Sequence, residues 1–502
     1  MSGPLRLVPD EGTPGWAEET MRLRTLPRRR QRPAGADAHP DLSPDPLDEL
    51  AERLAELCAD AVHPYEIAAF LESDGLTDEQ AALVYGRTDA FTLAEDLFAK
   101  VARRYPGPAP ADSDPWRADP WRCVLRGLVF ALPGLAYLLG ADLFSAHRHR
   151  FGLPSGMAAL AAATLLSWAF NQALAHRAYG WLSLTDRRSA ARTLALGAPL
   201  GALLAASTGW ILGGPLAALL FIIGQSVYLG AATALLVLGQ EKLLLAALGP
   251  ASLGAVLVLL VRLPGRAKAA ILLATLAAAV GLAAWQLTRC LTGAGSARAS
   301  GPRWSPTIAS GLFGLAVGTL TMIAGLGPSL HHAVRPAAPA SAGAGTTGPA
   351  LVALTLSLGL AEWLLYRYRS LATRALRTST SPADFRRRTA LALAGCLLGY
   401  LFAVTAVDYT ATALWAAAPL IGPIQLTALL LLAATLWTAL LLQALSIAWR
   451  TAGLCLAAAG FEITAVLTGG DPISIQLYGC GAAAALLVPL AVVVLGRTTR
   501  HR

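Results

Sequence analysis

Eight carboxylates are the only acidic side chains in residues 121–502 of this 502-residue chain: Asp142, Asp186, Glu241, Glu362, Asp384, Asp408, Glu462 and Asp471. They stand among about a dozen long apolar runs, and a charge inside such a run costs at least a few kcal/mol, so each one asks for a reason. Glu362 is followed at i+5 and i+7 by Arg367 and Arg369, a spacing that allows a partly shared helix face. It reads as a carboxylate snorkelling toward the basic end of its helix beside its own arginines, or as a coupling carboxylate that takes up a cation or proton. Glu462 has no basic residue near it in sequence, so its partner comes from another helix or the group is protonated. Arg126 lies about one turn from the basic end of the first run. It reads as a headgroup anchor or as a cavity residue meeting an anionic pyrophosphate. Gln225, Gln443, Gln476, Asn171 and Tyr228 are uncharged polar groups inside runs, suited to interhelical hydrogen bonds or to gripping sugar hydroxyls. The expected substrate- or ion-binding residues are therefore Arg126, Glu362, Glu462, Gln225 and Tyr228. His331-His332 and Asp408-Tyr409 fall at outer ends of runs and read as interfacial.

Catalysis is not expected. No His–Asp or Asp–Asp pair occurs, the outer loops are short, and no glycine-rich nucleotide loop is present. Six cysteines without a C-x-x-C pair read as small core residues, so neither a metal nor a cofactor is expected. His63 reads as a helix-flanking residue.

Each apolar run is about 20 residues long, matching the ~30 Å hydrocarbon layer of a bilayer. With 55% hydrophobic residues and a mean hydropathy of +0.53, the fold class expected is an all-α polytopic membrane bundle. Twelve spans are predicted, beginning near residues 121, 154, 193, 215, 243, 268, 305, 349, 388, 425, 451 and 474, with a missed or re-entrant segment near 411–423 the foreseeable counting error. The remaining 23 acidic residues lie in residues 1–120. There, residues 1–45 read as a disordered tail without the apolar core of a cleavable signal. Residues 46–105 read as a small cytoplasmic module of four helices. Its signals are Pro64 in a first turn, a Thr77/Gln80 capping box, Gly86 as a stop and Thr88 as a cap. Residues 106–120 form a proline-rich linker.

The basic residues lie mostly between the runs, which argues for topology signals and lipid contacts and against nucleic acid. An even span count puts both termini on one side. With a cytoplasmic N-terminus, 21 basic residues of the membrane domain fall inside and only Arg148, Arg150, Arg262, Arg266, Lys268 and Arg335 outside. Both termini are therefore expected in the cytoplasm.

The runs divide into two halves of six, residues 121–289 and 305–497, joined by a polar connector at 290–304 and followed by a basic tail at 498–502. Trp168, Arg177-Ala178-Tyr179 and Asp186-Arg187-Arg188 around the second and third runs are matched by Trp363, Tyr366-Arg367-Tyr368-Arg369 and Asp384 to Arg388 around the eighth and ninth. The offset is about 195 residues. Two six-helix halves are the usual build of alternating-access transporters.

The Asn171-Gln172 to Ala190 stretch and the Gln225-Ser226-Val227-Tyr228-Leu229 stretch with Gln240-Glu241-Lys242 resemble segments of MATE-like, or MOP-superfamily, flippases for polysaccharides and lipid-linked oligosaccharides. The segment from His63 to Glu72 and on through Ala94-Glu95 resembles an N-terminal module of membrane proteins that accompany exopolysaccharide genes in Gram-positive bacteria. The resemblance implies a plasma-membrane transporter that flips or exports a polysaccharide or lipid-linked glycan. It also implies the bilayer, a polyprenyl-linked glycan and a polysaccharide synthase as partners. The competing reading is a membrane-embedded glycosyltransferase, or an accessory scaffold of an exopolysaccharide synthase.

Overall fold

The computed structural model describes residues 45–102, 104, 116, 119–140, 156–213, 215–292, 301–335, 347–414 and 421–498. The tail at 1–44, most of the linker, the middle of the connector and residues 415–420 lie outside them. The described residues fall into two compact units, one within residues 11–114 and one within 115–502.

The smaller unit holds five helices: α1 (Pro46–Arg53), α2 (Ala55–Asp60), α3 (Pro64–Ser73), α4 (Asp78–Tyr85) and α5 (Ala90–Lys100). The first expected helix is thus split at Leu54. The His63 Nδ1 accepts from the Tyr65 amide at 3.3 Å, which makes His63 the N-cap of α3. Thr77 and Gln80 form the capping box of α4, and Gly86 ends it at φ +67°. The cap of α5 is Asp89 and not Thr88: the carboxylate accepts from the Thr92 amide at 2.7 Å. Leu50, Cys58, Ile67, Leu71, Leu93 and Leu97 make the dry core of this unit.

Among its described residues the larger unit contains twelve helices long and apolar enough to cross a membrane: Pro120–Gly140, Met157–Ser183, Arg187–Leu212, Leu216–Val237, Glu241–Val258, Gly265–Leu291, Trp304–His332, Gly348–Thr378, Pro382–Leu414, Pro423–Ala444, Ala448–Leu467 and Pro472–Leu495. These are spans 1 to 12. The fold is an all-α polytopic bundle, and each span begins within about six residues of where hydropathy puts it. The largest differences, at spans 3 and 9, arise because these helices start at Arg187 and Pro382 in polar sequence and only then enter their apolar stretches. Sharp turns between spans use the left-handed region, and two of them occupy equivalent places in the halves. Gly239 (φ +74°) joins spans 4 and 5, and Ser446 (φ +64°) joins spans 10 and 11. At each, the next amide returns to a carbonyl five residues back, Gln240 to Leu235 and Ile447 to Leu442.

Packing repeats across the halves. Span 1 packs on span 5, 2 on 3, 3 on 4, 4 on 6 and 5 on 6; span 7 packs on span 11, 8 on 9, 9 on 10, 10 on 12 and 11 on 12. The halves meet through a reciprocal pair of contacts, span 1 against span 8 and span 2 against span 7. Small residues allow both. A Cβ on Gly359 would lie 2.7 Å from the Cys123 carbonyl oxygen and 3.2 Å from the Gly127 Cα. One on Gly311 or Gly314 would press on Ala173 and Gln172 of span 2.

Candidate functional site

Spans 1 and 8 are interrupted where the halves face each other. Span 1 tightens into a 3-10 turn at Leu132–Leu135 around Pro133, and span 8 breaks at Ser357. Irregular backbone at membrane depth is tolerated where protein or a cavity surrounds it. A cavity of about 460 Å³ lies there. Its lining comes from spans 1, 2, 4 and 5 of the first half and 7, 8, 9 and 10 of the second, and includes Arg126, Gln225, Tyr228 and Glu362. Four of the five expected site residues therefore share one wall system, although three come from one half.

Arg126 is not isolated. Its Nε and Nη2 each donate to Glu241 Oε1 at 2.9 Å, and its Nη1 donates to Glu362 Oε1. Glu241 opens span 5 and Glu362 sits in span 8, so one guanidinium ties spans 1, 5 and 8 and bridges the halves. Arg122 Nη2 stands 4.0 Å from the same Glu241 oxygen. Two arginines thus face two glutamates, and the cluster carries no net charge. The partner of Glu362 is this distant arginine and neither Arg367 nor Arg369 of its own helix.

Much of the remaining lining is aliphatic, and set into it are the aromatics Phe130, Tyr137, Trp168, Tyr179, Phe313 and Tyr400 and the amides Gln172, Gln225 and Gln443. Gln225 Nε2 donates to Thr164 Oγ1 at 2.9 Å, which leaves its Oε1 without a partner. Trp168 Nε1, the Tyr228 hydroxyl and Gln443 Nε2 are also buried and unpartnered. Unmade hydrogen bonds of buried groups cost roughly 1–3 kcal/mol each, so these four favour a polar ligand or water. Asn171 donates from Nδ2 to the Ser167 carbonyl of its own helix at 2.8 Å while its Oδ1 is unpartnered, and Gln476 lines a smaller pocket among spans 7, 8, 10 and 12.

Glu462 lies apart from the cavity. It is fully buried in the second half, where Oε1 accepts from the Cys480 thiol at 3.2 Å and Oε2 has no partner. Asp408 is not interfacial: it is fully buried and both carboxylate oxygens are unpartnered. Its neighbour Tyr409 is exposed, and His331 Nδ1 stands 3.0 Å from the Gly470 carbonyl oxygen. Among the described residues no group of three or more His, Cys, Asp or Glu could hold a metal ion. Glu241, Trp168, Gln172, His176 and Tyr179 belong to the site without having been singled out as ligands. The signals for Glu241 were its rarity, as one of eight acids in the membrane domain, and its place in the Gln240-Glu241-Lys242 stretch.

No family model matches this chain, and no curated protein does. Among solved structures it is similar to an outward-facing multidrug resistance MATE family transporter of the MOP superfamily. The TM-score is 0.43 at 14% identity, over 76% of this chain and 97% of the other. A likeness that distant carries nothing about residues or substrate.

Proposed function

We propose that this chain is a plasma-membrane transporter that moves a polar, uncharged glycan, carried on a polyprenyl lipid or as a polymer segment, by alternating access between its two halves. One observation carries the reading: the cavity sits between the halves, is charge-balanced, and combines aromatic faces with unsatisfied amide and hydroxyl groups. Aromatic rings offer apolar faces to the C–H side of a sugar ring, while amides and hydroxyls pair its hydroxyl groups. A volume of about 460 Å³ falls in the ~300–1,000 Å³ range of small-molecule sites. Because Arg126 is already neutralised by carboxylates, it serves the junction of the halves more naturally than the pyrophosphate of a lipid carrier. Glu462 remains the candidate for ion or proton coupling. The excess of arginine at one end of the bundle supports cytoplasmic termini.

The test is flipping in proteoliposomes. A fluorescent polyprenyl-linked oligosaccharide should cross the bilayer faster with the protein than without it, and Trp168→Ala with Gln225→Ala should slow that crossing. Equal rates for protein-containing and empty vesicles would refute the proposal.

A further inference from the structure

Two arginines lie outside the cavity, one in each half, and they share an arrangement. Arg177, near the end of span 2, places its guanidinium 3.5 Å from the ring centroid of Trp304, the first residue of span 7, and donates from Nη1 to the Pro302 carbonyl at 3.2 Å. Arg369, near the end of span 8, places its guanidinium 4.4 Å from the ring of Trp116, four residues before span 1. The arginines are 192 residues apart and the tryptophans 188. Each half therefore reaches across with the arginine of its second span to the tryptophan that leads into the first span of the other half. Arg369 is 4% exposed, yet among the described residues no carboxylate pairs with it. Its Nη2 donates to the Ala444 carbonyl at the end of span 10 at 2.6 Å, while Nε and Nη1 have no partner. An uncompensated buried cation is expensive, so the Trp116 face and the negative end of span 10 are what hold it there.

Both contacts lie at the arginine-rich end of the bundle. At the other end, the same helices turn back to their own half. Leu160 and Ala163 of span 2 pack with Ala205 and Ile222, and Gly325 and Gly327 of span 7 approach Leu351 and Pro472.

We propose that the paired contacts Arg177–Trp304 and Arg369–Trp116 form a two-fold latch that closes the arginine-rich end of the bundle and must open when the cavity turns to that side. The opening step rests on the alternating-access reading; the latch itself does not. The two contacts are of unequal strength. Trp304 is 61% exposed, so its loss should raise the open population about 3-fold. Arg369 is desolvated, so loss of Trp116 should raise it about 30-fold.

A native reporter exists. Cys123 is buried where span 1 meets span 8, with its carbonyl oxygen against Gly359, while Cys290 at the end of span 6 is half-exposed and far in sequence from either contact. Open membrane sheets carrying the full chain would be treated with a polar maleimide, and the labelling rates of Cys123 and Cys290 followed by mass spectrometry. Trp116→Ala and Trp304→Ala should accelerate Cys123 by the stated factors with Cys290 unchanged. Trp116→Phe, which keeps an aromatic face, should restore most of the protection. Unchanged Cys123 labelling in Trp304→Ala, or a Phe variant as labelled as the Ala variant, would overturn the latch. The assay needs no substrate. A latch that behaves as expected in a protein that flips no glycolipid would remove the substrate reading and leave the latch standing.

Discussion

Replacing Arg126 with methionine tests whether the charge cluster holds the halves together. Arg126 is 21% exposed in its side chain, Glu241 7% and Glu362 13%. Methionine keeps the stem and removes the cation. Two nearly buried carboxylates then share one region without the guanidinium that accepted their charge. Stranding a buried charge typically costs about 3–5 kcal/mol. The cavity admits some water and Arg122 stands 4.0 Å from Glu241, so the low end, about 3 kcal/mol, is expected. That corresponds to a fall of about 3–4 °C in the midpoint of thermal aggregation, because the entropy of unfolding grows with chain length. Fluorescence-detected size-exclusion chromatography after heating the detergent-solubilised protein would measure it. The triple variant Arg126→Met, Glu241→Gln, Glu362→Gln removes all three charges and should recover most of the loss. Arg126→Lys should recover only part, because an ammonium lacks the fork that reaches two carboxylates at once. A single variant as stable as wild type, or a triple variant no better than the single one, would refute the reasoning.

Gly359→Ala should separate spans 1 and 8, since its Cβ would stand 2.7 Å from the Cys123 carbonyl oxygen and 3.2 Å from the Gly127 Cα; a loss of about 1–3 kcal/mol is expected in the same thermal assay, together with faster Cys123 labelling. Glu462→Gln preserves shape and removes the charge that Cys480 faces, so the amount of protein in the membrane should hold while transport loses its response to an imposed sodium or proton gradient; a variant that keeps that response excludes Glu462 from coupling. In the smaller unit, the bonds from the Thr92 amide and hydroxyl hold the Asp89 carboxyl below the usual carboxylate range. A lowered folded pKa adds stability above the unfolded value, near 3.9, that is lost as pH falls through the lowered one. Circular dichroism melts of the unit should therefore weaken below about pH 4, and Asp89→Asn should flatten that dependence.

The spans were legible because hydrocarbon thickness acts on each helix separately. Hydropathy over some 20 residues therefore fixes their number and, within a turn or two, their ends. Caps with local chemistry, such as Thr77 with Gln80, were equally visible. What could not be read was which charges meet. Arg126 lies 115 residues from Glu241 and 236 from Glu362, and nothing at helical spacing links them. Local spacing pointed instead to Arg367 and Arg369 as partners of Glu362, and the bundle turns Arg369 toward Trp116 and Ala444. Asp408 shows the same limit. Its place near the end of an apolar run suggests the interface, but it falls on the face of span 9 that carries Tyr400, Val404 and Thr412, and that face is buried.

The two junctions between the halves occupy equivalent places and differ in chemistry, and that difference bears on how the halves can move. Where span 2 meets span 7, Gly311, Gly314 and Gly318 press against Ala173, Gln172 and Leu165. Parting such a contact forfeits dispersion with nothing in exchange from water. Where span 1 meets span 8, close contact at Gly127 and Gly359 adjoins the Arg126–Glu362 bridge, and the bridge lines the cavity. Ion pairs at a wet boundary can trade partners for water as they separate, so their net cost of opening is far below their Coulomb energy. A junction of close-packed glycines and one that carries an ion-pair bridge, both lining one cavity, part at different cost. An exact two-fold bundle would lack that asymmetry. The departure of Arg126, Glu241 and Glu362 from the repeat is thus as informative about mechanism as the repeat itself.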